Sequence, residues 1–272
     1  MTSTQLGILE AQPSVPARSY LPWQIFLSEM LGTGLLLMGG LSLVILLFGA
    51  GSPIAPLLPN IVLRRALSGF LFGSLGAAIA LSPVGEYSGA HINPAVTLGF
   101  LLMGKLKPRA AVGYMVAQLG GATLGSVPLL LWGAMGASIS YGATLPGAGY
   151  STGAVLLGEV ATTFALVASL CVFLGTRRLR RFTPLMIPFL YAIMVPLEAS
   201  VSGISTNPAR TLGSAIISQN YQGWWIYWVG PFVGTALAVV ACSFLASRIE
   251  IAKLYYFDRD RGGVFKAMSQ ST

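Results

Sequence analysis

Two copies of one tripeptide, Asn93-Pro94-Ala95 and Asn207-Pro208-Ala209, are the residues of this sequence best suited to chemistry on a passing molecule. Proline fits the first position of a helix, and an asparagine before it accepts from the first free N–H groups, so each triplet predicts a helix start. The side-chain amide also carries N–H donors, the equipment for gripping the oxygen of a small neutral molecule. Arg210 follows the second asparagine by three residues. A guanidinium beside two positive helix ends, each equivalent to about half an elementary charge, repels cations, hydronium included, and leaves neutral solutes as permeants. A single Asn-Pro is an ordinary turn or helix start; two in matching surroundings mean more.

Other groups invite chemistry and have blander readings beside them. Glu29 and Glu159 lie inside apolar runs, where a carboxylate by default suggests a functional site such as a proton relay. His91, the only histidine, precedes Asn93 by two residues. It is placed near the pore mouth, either as a pH gate or as a loop or pore-lining hydrogen-bonding group. Gln118 serves as a brace or a plain interhelical hydrogen bond. Cys171 and Cys242 sit in apolar runs and read as buried thiols, not a disulfide framework. One histidine and two distant thiols make no metal site, and no nucleophile stands with a base. Neither an enzyme nor a cofactor is expected.

The elements that must position these residues are membrane helices. Of 272 residues 54% are hydrophobic and 9% charged, against about 25% charged in a soluble domain, and mean hydropathy is +0.74. A soluble globule is excluded. The net charge of +8 would suggest nucleic acid in a soluble protein; here the basic residues fall in loops and tails, which a lipid bilayer explains, so no nucleic-acid partner is expected. Apolar stretches long enough to cross lie near 23–48, 62–82, 110–133, 153–175, 184–202 and 224–247. Two more, near 94–103 and 208–218, are too short and begin at the Asn-Pro-Ala triplets.

Self-similarity organises these spans. Ser88-Gly89-Ala90-His91-Ile92-Asn93-Pro94-Ala95-Val96-Thr97-Leu98-Gly99 returns 114 residues later as Ser202-Gly203-Ile204-Ser205-Thr206-Asn207-Pro208-Ala209-Arg210-Thr211-Leu212-Gly213, identical at eight of twelve positions. Each half opens on a span with its glutamate. Three spans per half is an odd number, so the halves lie inverted. The expected fold is an all-α membrane protein of six transmembrane helices plus two re-entrant half-helices in an inverted repeat. Its parts are an N-terminal tail (1–22), a first repeat (23–134), a connecting loop (135–152), a second repeat (153–247) and a C-terminal tail (248–272). Irregular backbone at membrane depth must line protein or water, so two re-entrant loops imply a pore.

Lys105, Lys107 and Arg109, Arg177, Arg178, Arg180 and Arg181, and Arg248, Lys253, Arg259, Arg261 and Lys266 put both termini in the cytoplasm. Arg64 and Arg65 break the pattern. No cleaved signal peptide is expected, since residues 1–20 are polar without a basic start, and no small-residue cleavage site follows the next apolar run.

Paired Asn-Pro-Ala boxes in six spans resemble the aquaporin and glycerol-facilitator family, over roughly residues 23–247. The resemblance implies a bundle of six helices and two half-helices, a pore through every subunit, a homotetramer and a multi-pass protein of the cell membrane. It assigns Glu29 and Glu159 to bracing the loops. It also implies an outer selectivity filter containing Arg210, Val195 and Ile204, with a fourth member that is Gly73 without a gap or Phe72 after a one-residue shift. Val195 stands where water-selective members have His and glycerol-type members have Gly. Thr211 stands where glycerol facilitators have Asp, and Ala215, Tyr227 and Trp228 resemble water channels. The implied function is a passive channel for water and small neutral solutes such as glycerol, ammonia or hydrogen peroxide, nearer the water-channel branch. The alternatives are a glycerol-selective facilitator and an ion-coupled transporter; the latter would want a titratable or sodium-coordinating group at the helix breaks, where this sequence has Asn and Arg.

Overall fold

A computed structural model describes residues 23–250 and 252–254. The residues on either side, including the tail expected over 1–22 and the basic residues from Arg259 onward, lie outside the described residues. Among those described the chain forms helices and loops and no strand. In a bilayer, helices satisfy every backbone group locally, and this chain supplies apolar side chains on all faces to cover them.

The first repeat runs through α1 (Trp23–Phe48), α2 (Ile61–Leu81), α3 (Pro83–Ser88), α4 (Pro94–Leu102) and α5 (Pro108–Ser126). After α6 (Gly133–Ala137), the second runs through α7 (Thr152–Gly175), α8 (Thr183–Glu198), α9 (Pro208–Ser218), α10 (Ile226–Ala241) and α11 (Ser243–Ala246). Four helical stretches, Trp23–Phe48, Ile61–Leu81, Pro108–Ala137 and Thr152–Gly175, are long and apolar enough to cross a membrane by themselves. Exposed apolar residues at helical spacing, Val112 and Val116 on α5 and Phe189, Ile193 and Leu197 on α8, present the greasy perimeter that lipid requires.

Three expectations shift. The third span does not run unbroken to 133: it tightens into a 3-10 turn at Val127–Trp132, where Pro128 removes a backbone donor, and Gly133 then takes φ +50. The fifth and sixth spans are shorter than their apolar runs, α8 and α10 having 16 residues each, or about 24 Å of helix. The 3-10 turn Arg180–Phe182 leads into α8, and α11 follows α10 after a break at Cys242. Third, α3 stands where no helix was expected, capped by Ser82 with Pro83 at its first position.

Packing follows the repeat. Within the halves α1 lies along α5 and α7 along α10, while α2 and α8 meet across the two halves. Each contact is made where sequence placed glycines four apart. A Cβ on Gly121 or Gly125 would collide with the α1 backbone at Met30 and Gly34; one on Gly230 or Gly234 would meet α7 at Glu159 and Val160; one on Gly69 or Gly73 would meet α8 at Tyr191 and Pro188. Without a hydrophobic drive between helices in lipid, such close approach supplies the van der Waals contact that holds them together. Gly125→Leu is accordingly expected to destabilise the fold by about 1–3 kcal/mol or more through overpacking, read as a lower thermal midpoint in detergent. Gly120→Leu, whose Cβ meets nothing within 4 Å, should leave the midpoint unchanged.

Candidate functional site

Both half-helices begin at their prolines with asparagine as the N-cap, Asn93 at φ −159 and Asn207 at φ −144. Asn93 Oδ1 accepts from the Ala95 N–H at 2.8 Å, and Asn207 Oδ1 from those of Ala209 at 3.0 Å and Arg210 at 3.3 Å. Each side-chain amide then reaches across the repeat. Asn93 Nδ2 donates to the Thr206 carbonyl and Asn207 Nδ2 to the Ile92 carbonyl, both at 2.9 Å. The two re-entrant segments are thus tied tip to tip. An amide nitrogen carries two N–H groups, so each asparagine retains a second donor where it lines the inner cavity.

The loops before these caps hold a backbone that ordinary residues avoid. Gly89, Ala90 and Ile92 take φ values of +87, +55 and +41; their counterparts 114 positions on, Gly203, Ile204 and Thr206, take +80, +46 and +52. Left-handed β-branched residues cost about 1–3 kcal/mol each and persist only where the surroundings dictate them. The glutamates supply that dictation. Glu29 accepts from the His91 N–H at 2.9 Å and the Ile92 N–H at 2.7 Å, and Glu159 from those of Ser205 at 2.7 Å and Thr206 at 2.9 Å. Both carboxylates are completely buried.

Further side chains complete this brace. Tyr114 donates to the Ser88 carbonyl at 2.6 Å and Tyr227 to the Ser202 carbonyl at 2.7 Å. The Ser88 and Ser202 hydroxyls each accept a loop N–H at 3.1 Å. Gln118, left open between brace and interhelical bond, donates to Glu29 at 2.7 Å and to Thr97 at 2.9 Å. Cys171 and Cys242 are free thiols, Cys171 packed against Met103.

His91 is buried and hydrogen-bonded. It is 1% exposed, stacks on Phe100 with ring centroids 4.4 Å apart, and contacts the Ala252 carbonyl through Nε2 at 3.1 Å and Thr97 Oγ1 through Nδ1 at 3.2 Å. A carbonyl only accepts, so Nε2 carries the proton.

Two cavities adjoin one another between the helices. The outer, about 250 Å³, is lined among others by Arg65, Val195, Ile204 and Arg210, and holds no carboxylate among its lining residues. The inner, about 60 Å³, contains Asn93 and Asn207. They share three residues: Phe72, Tyr191 and Ser205. Phe72 and Gly73 therefore both reach the lumen, at different depths. Phe72 stands at the junction, while Gly73 lines only the inner cavity and backs onto Pro188. Tyr191, which sequence reading missed, lies one helical turn from Val195 and bonds Thr206 Oγ1 at 2.5 Å. Arg210 is 8% exposed, and its Nη1 is buried without a hydrogen-bond partner among the described residues. A buried donor aimed at a cavity is available to whatever passes.

Comparisons with known proteins bear on the family and the fold. Residues 16–242 match the family model described as Major intrinsic protein. The chain is 41% identical over 180 residues to Aquaporin-1 of Sus scrofa, covering 64% of this chain and 65% of the relative. To Aquaporin PIP1-6 of Zea mays it is 40% identical over 179 residues, covering 62% and 60%. The matched region thus spans just under two thirds of these relatives. A solved structure, the aquaglyceroporin from Plasmodium falciparum, superposes with a TM-score of 0.64 at 23% identity, over 82% of this chain and 95% of that one, which shows the shared fold.

Proposed function

Because the chain belongs to the major intrinsic protein family, a family of multi-pass membrane channels, we propose that it is a passive pore conducting water and small neutral solutes and excluding protons and ions. One observation carries this reading. Two asparagine-capped half-helices meet tip to tip, each with a spare amide donor at a lumen whose other lining residues are mostly apolar. A permeant oxygen exchanges bulk water for these donors and for Arg210 Nη1, while the helix ends and the guanidinium oppose a cation.

Selection takes place between the outer cavity and the asparagines. Arg210, Val195 and Ile204 form the outer ring, without an imidazole to narrow it, and Phe72 and Tyr191 form the collar beneath. Tyr191→Val is expected to raise the glycerol-to-water flux ratio by about tenfold, since removing ring volume from an apolar constriction changes discrimination by about 1–3 kcal/mol. Val195→His should lower the same ratio. An unchanged ratio in both variants would remove the collar and ring from their assigned roles.

The decisive experiment reconstitutes the protein in liposomes and follows shrinkage by light scattering under sucrose, glycerol and ammonium gradients. Linear, unsaturable flux with a low activation energy is expected. Saturation, or flux driven by a proton gradient, would favour the transporter. We further place the protein in the cell membrane as a homotetramer with both termini cytoplasmic. Support for the orientation comes from the arginines and lysines between α4 and α5, between α7 and α8 and after α10; the tetramer rests on the family likeness. Arg65 is accounted for on the opposite side as part of the outer cavity wall.

A further inference from the structure

The two re-entrant loops are equivalent by sequence, but their surroundings are not. Beside Gly203 the loop around Thr144 and Leu145 passes at ordinary contact distance, 3.4 Å from a Cβ built there, and the cavity on that side stays about 250 Å³. Beside Gly89 the chain segment Ala252–Leu254 lies so close that a Cβ would stand 2.6 Å from the Ala252 carbonyl oxygen, and the cavity on that side is about 60 Å³.

That segment is held by the pore's own parts. The Leu254 N–H donates to the Gly89 carbonyl at 3.0 Å, the Ala252 carbonyl accepts from His91 Nε2 at 3.1 Å, and Lys253 Nζ donates to the Glu86 carbonyl at 3.2 Å. Leu254 is 4% exposed and lines the inner cavity together with Asn93, Leu170 and Ile187. Ile249 and Ala252, 1% and 2% exposed, join the apolar cluster that contains Phe100 and Tyr114. His91 lines the inner cavity, Gly89 and Glu86 precede it in the chain, and every one is engaged by this short stretch.

We propose that Ala252–Leu254 is an autoinhibitory closure of the inner mouth, with Leu254 as its stopper. The inference rests on the channel reading. Among the described residues the segment is held by hydrogen bonds and apolar contacts. Release exposes the Gly89 carbonyl and His91 Nε2 to the lumen, where they become an acceptor and a donor for water. Burying one leucine shifts such an equilibrium by roughly ten- to a hundredfold, so the closed form dominates while open molecules remain accessible.

The test compares full-length protein with a chain ended after Glu250 and with full-length Leu254→Ser, reconstituted at equal protein-to-lipid ratio. Water permeability per protein is expected to rise at least about fivefold in both, within the range that loss of one buried leucine allows. Glu250 packs near Arg180, so keeping it leaves that contact in place. Equal permeability in all three proteins, with unchanged thermal midpoints, overturns the closure and leaves the channel standing. No water flux from any of them overturns the channel reading, and the closure with it. Should the shortened chain fail to fold, Leu254→Ser decides between the same outcomes.

Discussion

Replacing Glu159 with leucine is expected to abolish flux and to destabilise the protein by about 3 kcal/mol or more. The side chain takes the Ser205 and Thr206 N–H groups and the Ser202 hydroxyl, the last at 2.6 Å. Each buried donor left without an acceptor costs about 1–3 kcal/mol. The left-handed backbone of Ile204 and Thr206 would then lose the contacts that impose it, and relaxation withdraws the Thr206 carbonyl from Asn93. Glu159→Gln separates the two effects: it keeps the shape but presents an N–H donor to one of two N–H groups. Its flux should fall while the protein still reaches the membrane. A proton-relay role predicts instead that Gln spares water flux and removes only proton movement. The measurements are the thermal midpoint in detergent and light scattering in liposomes. By the repeat, Glu29→Leu should do the same from the other side, through His91 and Ile92.

Arg210→Val is the second large effect, on selectivity and not on stability. A unit charge about 5 Å from a passing cation at an effective dielectric near 20 contributes about 3 kcal/mol to its barrier, which is about two orders of magnitude in rate. Proton or sodium leak through reconstituted protein should rise toward that extent, tempered by the helix ends that remain, and glycerol should pass more readily through the widened ring. A pH-sensitive dye trapped in the liposomes reports the leak. Leak at the level of the parent protein would show that the helix ends alone exclude cations and would remove Arg210 from that role. Because its Nη1 has no partner among the described residues, the substitution leaves no new orphaned acceptor there, so folding should survive.

Much of this was legible in the sequence because lipid leaves few solutions. A chain with 9% charged residues has to bury its backbone in helices, and two apolar runs too short to cross, each starting at Asn-Pro-Ala, have to turn back within the membrane. The repeat fixed their opposite directions by counting spans. The carboxylates were visible as anomalies, since Glu29 and Glu159 could not sit in lipid without partners.

Other features had no local signature. That each asparagine bonds the other loop's carbonyl, that Tyr191 and Phe72 meet between two cavities, and that Gly73 serves helix packing while Phe72 reaches the junction all depend on how α2 and α8 lie together across the halves. Periodicity specifies which face of a helix is apolar, not which neighbour it meets or at what depth. The surroundings of His91 are the clearest case. From sequence it belonged near a mouth, as a gate or a hydrogen-bonding group; that its ring stacks on Phe100 and meets the Ala252 carbonyl, 161 residues away, follows from no spacing rule. Local chemistry determined what each segment could do, and only the closing of the chain on itself decided which groups were spent on one another and which were left facing the lumen.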